Sequence, residues 1–196
     1  MKVLNSTTNE FKSDGTQIGE RMTSKKVSNG AEAIKSQMES SFSGIDAEGN
    51  NVTVEVNLEY VDSVGKDDFY IDFVDEVVGA DGVPLSKSGV LAAGKVDEIG
   101  NVDSNRIQVA KSPFNSTNTE IGITGAHEGG HTAGLTHESA GTDAQNLMKK
   151  GATGGNITPS QRSSLRNVVP RVRGIKPIKA TEIKTMEISS EIISNN

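Results

Sequence analysis

Residues 117–137 read TNTEIGITGAHEGGHTAGLTH and contain all three histidines of the 196-residue chain. Thr117 and Glu120 have the spacing of a capping box, which predicts that a helix begins directly after Thr117. On such a helix His127 and His131 are four residues apart and therefore lie on one face, one turn apart. Two imidazoles in this position can bind the same zinc ion, each at about 2.0–2.1 Å. The segment therefore predicts a metal-binding helix.

The residues around this histidine pair predict an open, catalytic type of metal site. Glu128 projects about 100° around the helix from His127, so it can flank a bound ion without ligating it. Gly134 can adopt a positive φ, which ends the helix and turns the chain back. The next three residues can then bring His137 to the metal as a third ligand. Three protein ligands leave the fourth position free for water, as in catalytic zinc sites.

The predicted helix is intrinsically weak. It contains Gly122, Gly125, Gly129 and Gly130, and each glycine costs roughly 1 kcal/mol relative to alanine in a helix interior. We expect packing, the Thr117 cap and metal binding to offset this cost. The absent side chains would also let other backbone, or a substrate, approach closely.

The histidine segment fits the long pattern HExxHxxGxxH, which fixes three histidines, one glutamate and one glycine. Met148 follows His137 by eleven residues, in the sequence Asn146-Leu147-Met148. In both respects the chain resembles the metzincin zinc metallopeptidases, which carry a methionine-containing turn beneath the zinc. The short interval between the third histidine and the methionine is similar to compact bacterial forms of the family.

Two positions leave the metzincin subfamily unassigned. Glu138, directly after the third histidine, is similar to the astacin branch. Lys150, however, stands two residues after Met148, where astacins have a tyrosine. A tyrosine zinc ligand is therefore not expected in this chain.

The resemblance implies a fold of the α/β (α+β) class. It implies a twisted mixed sheet that is mostly parallel with an antiparallel edge strand, together with the zinc helix and a C-terminal helix. A substrate would lie extended along the edge strand and pair with it backbone to backbone. The weakly apolar stretch before Ile107 is the candidate for that strand.

The resemblance also implies a zinc-dependent endopeptidase that acts on a protein or peptide substrate. Glu128 would be the general base that takes a proton from the zinc-activated water. Gly134 and Met148 would support the site structurally. One catalytic Zn²⁺ is expected, and a structural Ca²⁺ stays open. The expected metal ligands are His127, His131 and His137.

A second interpretation is a non-catalytic, zinc-dependent binding module or a toxin-like effector domain of a larger secreted protein. The presence of Glu128 favours the enzyme. Cleavage of an unstructured test protein, abolished by a chelator, would separate the two interpretations.

Helical patterns flank the histidine segment on both sides. Apolar residues at helical spacing predict a helix over about 30–42, opened by a capping-box pattern at Asn29. Thr158 and Gln161 form a further capping box, with proline at the first helical position, and predict a helix over about 159–169.

Strand patterns lie between the first helix and the histidine segment. Strict alternation of apolar and polar residues predicts strands over 52–60 and 69–73. Ile107 and Val109 suggest a further strand, and Val90-Leu91 a short edge strand. The order of helix, strands and two helices is typical of α/β or α+β domains.

The composition limits the function classes. Valine and isoleucine number 33 against 7 leucines, which favours a fold that contains strands. The net charge of −6 and the low aromatic content of 4% argue against nucleic-acid binding. No apolar run approaches the roughly 20 residues that a membrane-spanning helix needs. With no cysteine in the chain, thiolate metal ligands and a thiol nucleophile are excluded.

We expect one metallopeptidase domain over residues 1–174, with 1–27 irregular and in the position of a pro-segment. Residues 175–196 are expected to form a tail or an added strand. The N-terminus has no apolar signal-peptide region. Secretion or delivery outside the producing cell is nevertheless the favoured location, and a cytoplasmic one stays open. A monomer is expected.

Overall fold

The computed structural model describes residues 1–79, 82–85, 93–96, 105–111, 117–138 and 143–172. Within these ranges the chain forms nine short strands and three helices. In chain order they are β1 (Lys2–Asn5), β2 (Glu10–Phe11), β3 (Gln17–Gly19), α1 (Ser24–Phe42), β4 (Gly44–Ile45), β5 (Asn51–Val52), β6 (Glu59–Tyr60), β7 (Tyr70–Val74), β8 (Gly94–Val96), β9 (Arg106–Ala110), α2 (Asn118–Thr132) and α3 (Pro159–Val172).

Five of these strands form one sheet in the order β6-β1-β7-β9-β8. The pairs β6-β1, β1-β7 and β7-β9 are parallel, whereas β8 runs antiparallel to β9 at the edge. The strands β2-β3 and β4-β5 form two small antiparallel pairs beside it. The predicted fold class is therefore confirmed at the level of a mixed α/β chain with a mostly parallel sheet and one antiparallel edge strand.

One face of the sheet carries the hydrophobic core. The strand register aligns Val3, Ile71, Ile107 and Val96 in one row across four strands. All four side chains are buried, because side chains alternate along each strand and this set faces α1 and α2. The strands predicted over 69–73 and around Ile107 and Val109 are confirmed as β7 and β9.

α1 and α2 pack unusually closely on this face. Gly125 lies against Ile34, and a Cβ at position 125 would lie 2.5 Å from the Ile34 Cδ1 atom. A Cβ at Gly122 would lie 3.0 Å from the backbone oxygen of Ala33. The glycines that weaken α2 as an isolated helix therefore allow the backbone of α2 to approach α1.

The prediction that residues 1–27 are irregular was wrong. β1 lies inside the main sheet between β6 and β7, but it is only four residues long, too short for alternation to reveal it. α1 begins at Ser24 rather than near residue 30, because Thr23 provides the cap and accepts a hydrogen bond from the Lys26 backbone N–H. Val27 is buried one turn before Ala31 and extends the apolar face of the helix.

The continuous strand predicted over 52–60 was also wrong. Only β5 and β6, at its two ends, are strands. Between them the Val54 N–H donates to the Ser43 hydroxyl at 3.0 Å, and the Val56 N–H donates to the Glu39 carboxylate at 2.9 Å. Side chains from the end of α1 thus take the hydrogen bonds that a neighbouring strand would have made.

The C-terminal helix is confirmed but is longer than predicted. α3 continues to Val172 and so extends past Pro170, just before which the predicted helix ended. The predicted edge strand at Val90-Leu91 and the tail 175–196 lie outside the described residues. In the part of the chain that the structure describes, no helix has the length and apolar character needed to cross a membrane.

The contact between α1 and α2 makes a direct prediction for Gly125→Ala. The new Cβ would lie 2.5 and 2.9 Å from the Cδ1 and Cγ2 atoms of Ile34, so the helices must separate. We expect the free energy of unfolding, measured by urea titration, to fall by about 1–3 kcal/mol. In an Ile34→Ala background the three nearest atoms are removed, so we expect the same substitution to cost much less or to stabilise by up to about 1 kcal/mol through the helix preference of alanine. Equal effects in the two backgrounds would contradict this account.

Candidate metal centre

α2 positions the first two histidines as the sequence predicts. The capping box at its start is formed: the Glu120 N–H donates to the Thr117 hydroxyl at 3.2 Å, and the Thr117 N–H donates to the Glu120 carboxylate at 2.8 Å. At its other end Gly134 has φ = 87°, and the Leu135 N–H donates back to the Gly130 carbonyl at 3.0 Å. This turn leads the chain directly to His137.

The three histidine side chains converge at one point. The Nε2 atoms of His127 and His131 are 3.0 Å apart, those of His127 and His137 are 3.1 Å apart, and those of His131 and His137 are 3.2 Å apart. A turn of helix and a glycine turn thus bring together residues that span eleven positions in the sequence.

Backbone carbonyls determine which ring nitrogens carry hydrogen. The Nδ1 atom of His127 lies 2.5 Å from the Leu147 carbonyl oxygen, and that of His131 lies 2.7 Å from the Leu135 carbonyl oxygen. Carbonyl oxygens only accept hydrogen bonds, so each Nδ1 must be the donor. In the neutral rings Nε2 then holds the free lone pair, which is the form that binds metals.

The nitrogen triangle fits a single metal ion. With sides of 3.0–3.2 Å, its corners lie about 1.8 Å from its centre, so all three nitrogens could reach one ion at the roughly 2.0–2.1 Å of zinc–imidazole bonds. The Nε2 lone pairs of His127 and His131, 3.0 Å apart, repel each other unless a proton or a cation lies between them. The histidine group His127, His131 and His137 could therefore hold a metal ion.

The surroundings keep the three rings neutral. Burial lowers the pKa of His131 from 6.5 to about 4 and lowers the pKa of His127 as well. The pKa of His137 is lowered by burial and by the nearby charge of Lys150. Neutral imidazoles are the ligand form, so the protein environment favours metal over protons near neutral pH.

Glu128 is held between α2 and the edge strand β8. Its side chain is 8% exposed, and burial raises its pKa to about 7 although the Val96 N–H and the charge of Lys95 act in the opposite direction. Gly94 makes room for it, because a Cβ there would lie 3.0 Å from the Glu128 Cγ atom. A divalent cation nearby would favour the ionised carboxylate and lower this pKa.

Met148 lies directly under α2. It is fully buried, and its sulfur would be 2.5 Å from a Cβ at Gly130, the residue before His131. Its carbonyl accepts the Glu138 N–H at 3.0 Å. The segment that contains Met148 and Leu147 therefore contacts α2 at His127 and beside Gly130, and also contacts the chain after His137.

Gln161 lies near the site and was not predicted to belong to it. The side chain of Gln161, on α3, accepts a hydrogen bond from Asn146 at 3.2 Å and donates one to Glu138 at 2.7 Å. The capping-box pattern identifies Gln161 as a helix-capping residue only. Its two other partners, Asn146 and Glu138, are 15 and 23 residues away along the chain. A local sequence pattern cannot predict contacts at such separations.

Comparison of the chain with protein-family models gave no match, and comparison with curated protein sequences gave none either. The histidine geometry is therefore the main basis for a functional assignment.

We predict about one zinc ion per chain in the protein purified at neutral pH, since three imidazoles and an open fourth position suit zinc. His131→Ala should remove the metal, whereas Thr136→Ala, an exposed neighbour in the same turn, should retain it. Elemental analysis after dialysis measures both. Full zinc content in His131→Ala would rule out this ligand set.

Zinc-dependent stability should also depend on pH. Zinc binds neutral imidazole, whereas protonation below the unfolded-state pKa near 6.5 favours the metal-free and unfolded chains. The zinc-induced rise in melting temperature should therefore be complete above about pH 6.5 and decrease as the pH falls to 5. Scanning calorimetry with and without zinc at pH 7.5 and pH 5 tests this, with His131→Ala as the zinc-insensitive control. An equal rise at both pH values would refute it.

Proposed function

We propose that this chain is a zinc-dependent endopeptidase of the metzincin type. The observation that carries the proposal is the convergence of the His127, His131 and His137 Nε2 atoms within 3.0–3.2 Å of one another. The three rings come from a single HExxHxxGxxH segment whose helix, glycine turn and third histidine all adopt the geometry that such a site needs.

The chemistry divides between the metal and one carboxylate. A zinc ion held by the three imidazoles would acidify water and polarise a scissile carbonyl. Glu128, adjacent to His127 on α2, takes the proton from the attacking water and delivers it to the leaving amine. Because Glu128 is held by the Val96 N–H and by close packing on Gly94, its carboxylate needs little reorganisation during these steps.

The sheet supports a peptide substrate. Among the strands of the described residues, β8 is the last in the sheet order and pairs with β9 on one side. An extended peptide can add to such an edge through backbone hydrogen bonds. α2 packs on β8, with Thr124 and Glu128 both against Gly94, so a peptide beside this strand would lie close to the general base.

Glu128→Gln tests the proposed chemistry. Glutamine keeps the shape of the side chain but cannot accept the water proton, and general-base catalysis is typically worth 10²–10⁴-fold. We expect the variant to fold and to bind zinc normally, while cleavage of an unstructured protein falls at least about 100-fold. The rate of peptide cleavage with zinc-loaded protein is the measurement, with zinc content determined in parallel.

The contrast with His131→Ala separates catalysis from metal retention, because that variant should lose zinc and cleavage together. Near parental cleavage by Glu128→Gln would show that Glu128 is not the base. If the parent binds zinc but cleaves no unstructured substrate, the chain is instead a zinc-dependent binding module or effector domain.

A further inference from the structure

The side chain of Gln161 joins three separate segments next to the metal centre. It is only 7% exposed and lies in the first turn of α3. Its Oε1 atom accepts the Thr158 N–H at 2.7 Å and the Asn146 amide at 3.2 Å, and its Nε2 atom donates to the Glu138 carboxylate at 2.7 Å. One buried amide therefore links α3, the methionine turn and the chain after the third histidine.

The orientation of this amide is fixed by its partners. The Thr158 backbone N–H can only donate, so the atom facing it must be the carbonyl oxygen of Gln161. The NH₂ group then points at the Glu138 carboxylate, which is an acceptor. The Gln161 N–H in turn donates to the Thr158 hydroxyl at 3.2 Å, which completes the capping box and anchors the side chain to its own helix.

Both linked segments lead to metal ligands. Glu138 follows His137 directly, and its own N–H donates to the Met148 carbonyl at 3.0 Å. Asn146 accepts the Met148 N–H at 2.8 Å through its side-chain oxygen. Leu147 lies between Asn146 and Met148, and its carbonyl accepts the hydrogen bond that orients the His127 ring.

His137 needs such support more than the other two histidines do. His127 and His131 lie on α2, whereas residues 135–138 are in neither helix nor strand, and His137 is exposed. Its position therefore depends on the contacts of its neighbours rather than on a helical backbone.

We propose that Gln161 is a positioning residue for the metal centre: its amide holds the Glu138 carboxylate and Asn146 together, and so sets where His137 meets the two helical histidines. The inference rests on the proposed metal site and deepens it. Groups that orient metal ligands typically change metal affinity by 10–100-fold when they are altered.

Exchange of the two hydrogen-bonding groups tests the proposal. Gln161→Glu keeps the size and the capping-box acceptor but places a carboxylate against the carboxylate of Glu138. In the double variant Gln161→Glu with Glu138→Gln, the amide at position 138 can donate to the carboxylate at position 161. This restores the hydrogen bond in the opposite direction. Ser164→Ala, an exposed position on the same helix, is the control for substitution in α3.

The full chain is loaded with Co²⁺, and two properties are measured: the visible d–d absorption of the metal and its rate of loss to excess chelator. We expect Gln161→Glu to change the spectrum and to accelerate metal loss about tenfold or more. The double exchange should return both properties to within about threefold of the parent, and Ser164→Ala should leave them unchanged. A destabilised helix alone would not be rescued by the second substitution.

Parental metal loss and spectrum in Gln161→Glu would overturn the proposal, as would a double exchange that loses metal as fast as the single variant. Failure of the parent to bind Co²⁺ would overturn this inference and the metal site together. If the parent binds Co²⁺ and the variants behave as expected, but the parent cleaves no peptide, only the peptidase proposal is refuted.

Discussion

The close contact between α1 and α2 is the constraint on which the rest of this structure depends. Gly125 and Gly129 face Ile34 and Met38 so tightly that a Cβ at either glycine would overlap the partner side chain. Since a helix has 3.6 residues per turn, His127 and His131 then lie on roughly the opposite side of α2. The packing that fixes the helix on the sheet thus also fixes the direction in which its two histidines point.

The other half of the site depends on two backbone carbonyls that lie outside α2. The carbonyls of Leu135 and Leu147 select the ring tautomers of His131 and His127, and each carbonyl belongs to a segment outside α2. The position of the Leu135 carbonyl is set by the turn at Gly134, which is a local feature of the sequence. Leu147 comes from the methionine turn, which is positioned by Asn146, by the sulfur of Met148 under Gly130, and by α3. Ligand orientation is therefore a tertiary property.

The difference between local and tertiary control explains how much could be predicted from sequence. The cap at Thr117, the turn at Gly134 and the histidine spacing are local, and the structure confirms all three. β1 was missed because four residues carry too little periodicity, although its neighbours in the sheet hold it firmly. The prediction of a continuous strand after β5 was wrong because alternation of apolar and polar residues indicates only which side chains are buried. It does not show whether the backbone hydrogen-bonds to a neighbouring strand or to the side chain of Glu39.

The same division bears on what the proposed metal ion would contribute to this fold. In small zinc-dependent modules, metal binding supplies the free energy of folding, because no core exists without it. Here a continuous cluster of 19 buried hydrophobic residues, none of them histidine, joins the sheet to all three helices. Packing against α1 holds the two helical histidines in place, and the Gly134 turn and the Glu138 hydrogen bonds bring the third to them. The ion would then complete a nitrogen triangle whose corners are already 3.0–3.2 Å apart. Because the fold already brings the three nitrogens together, an ion bound there would need no fourth protein ligand to hold the site in shape, and zinc sites with three protein ligands are the ones that leave a position for water.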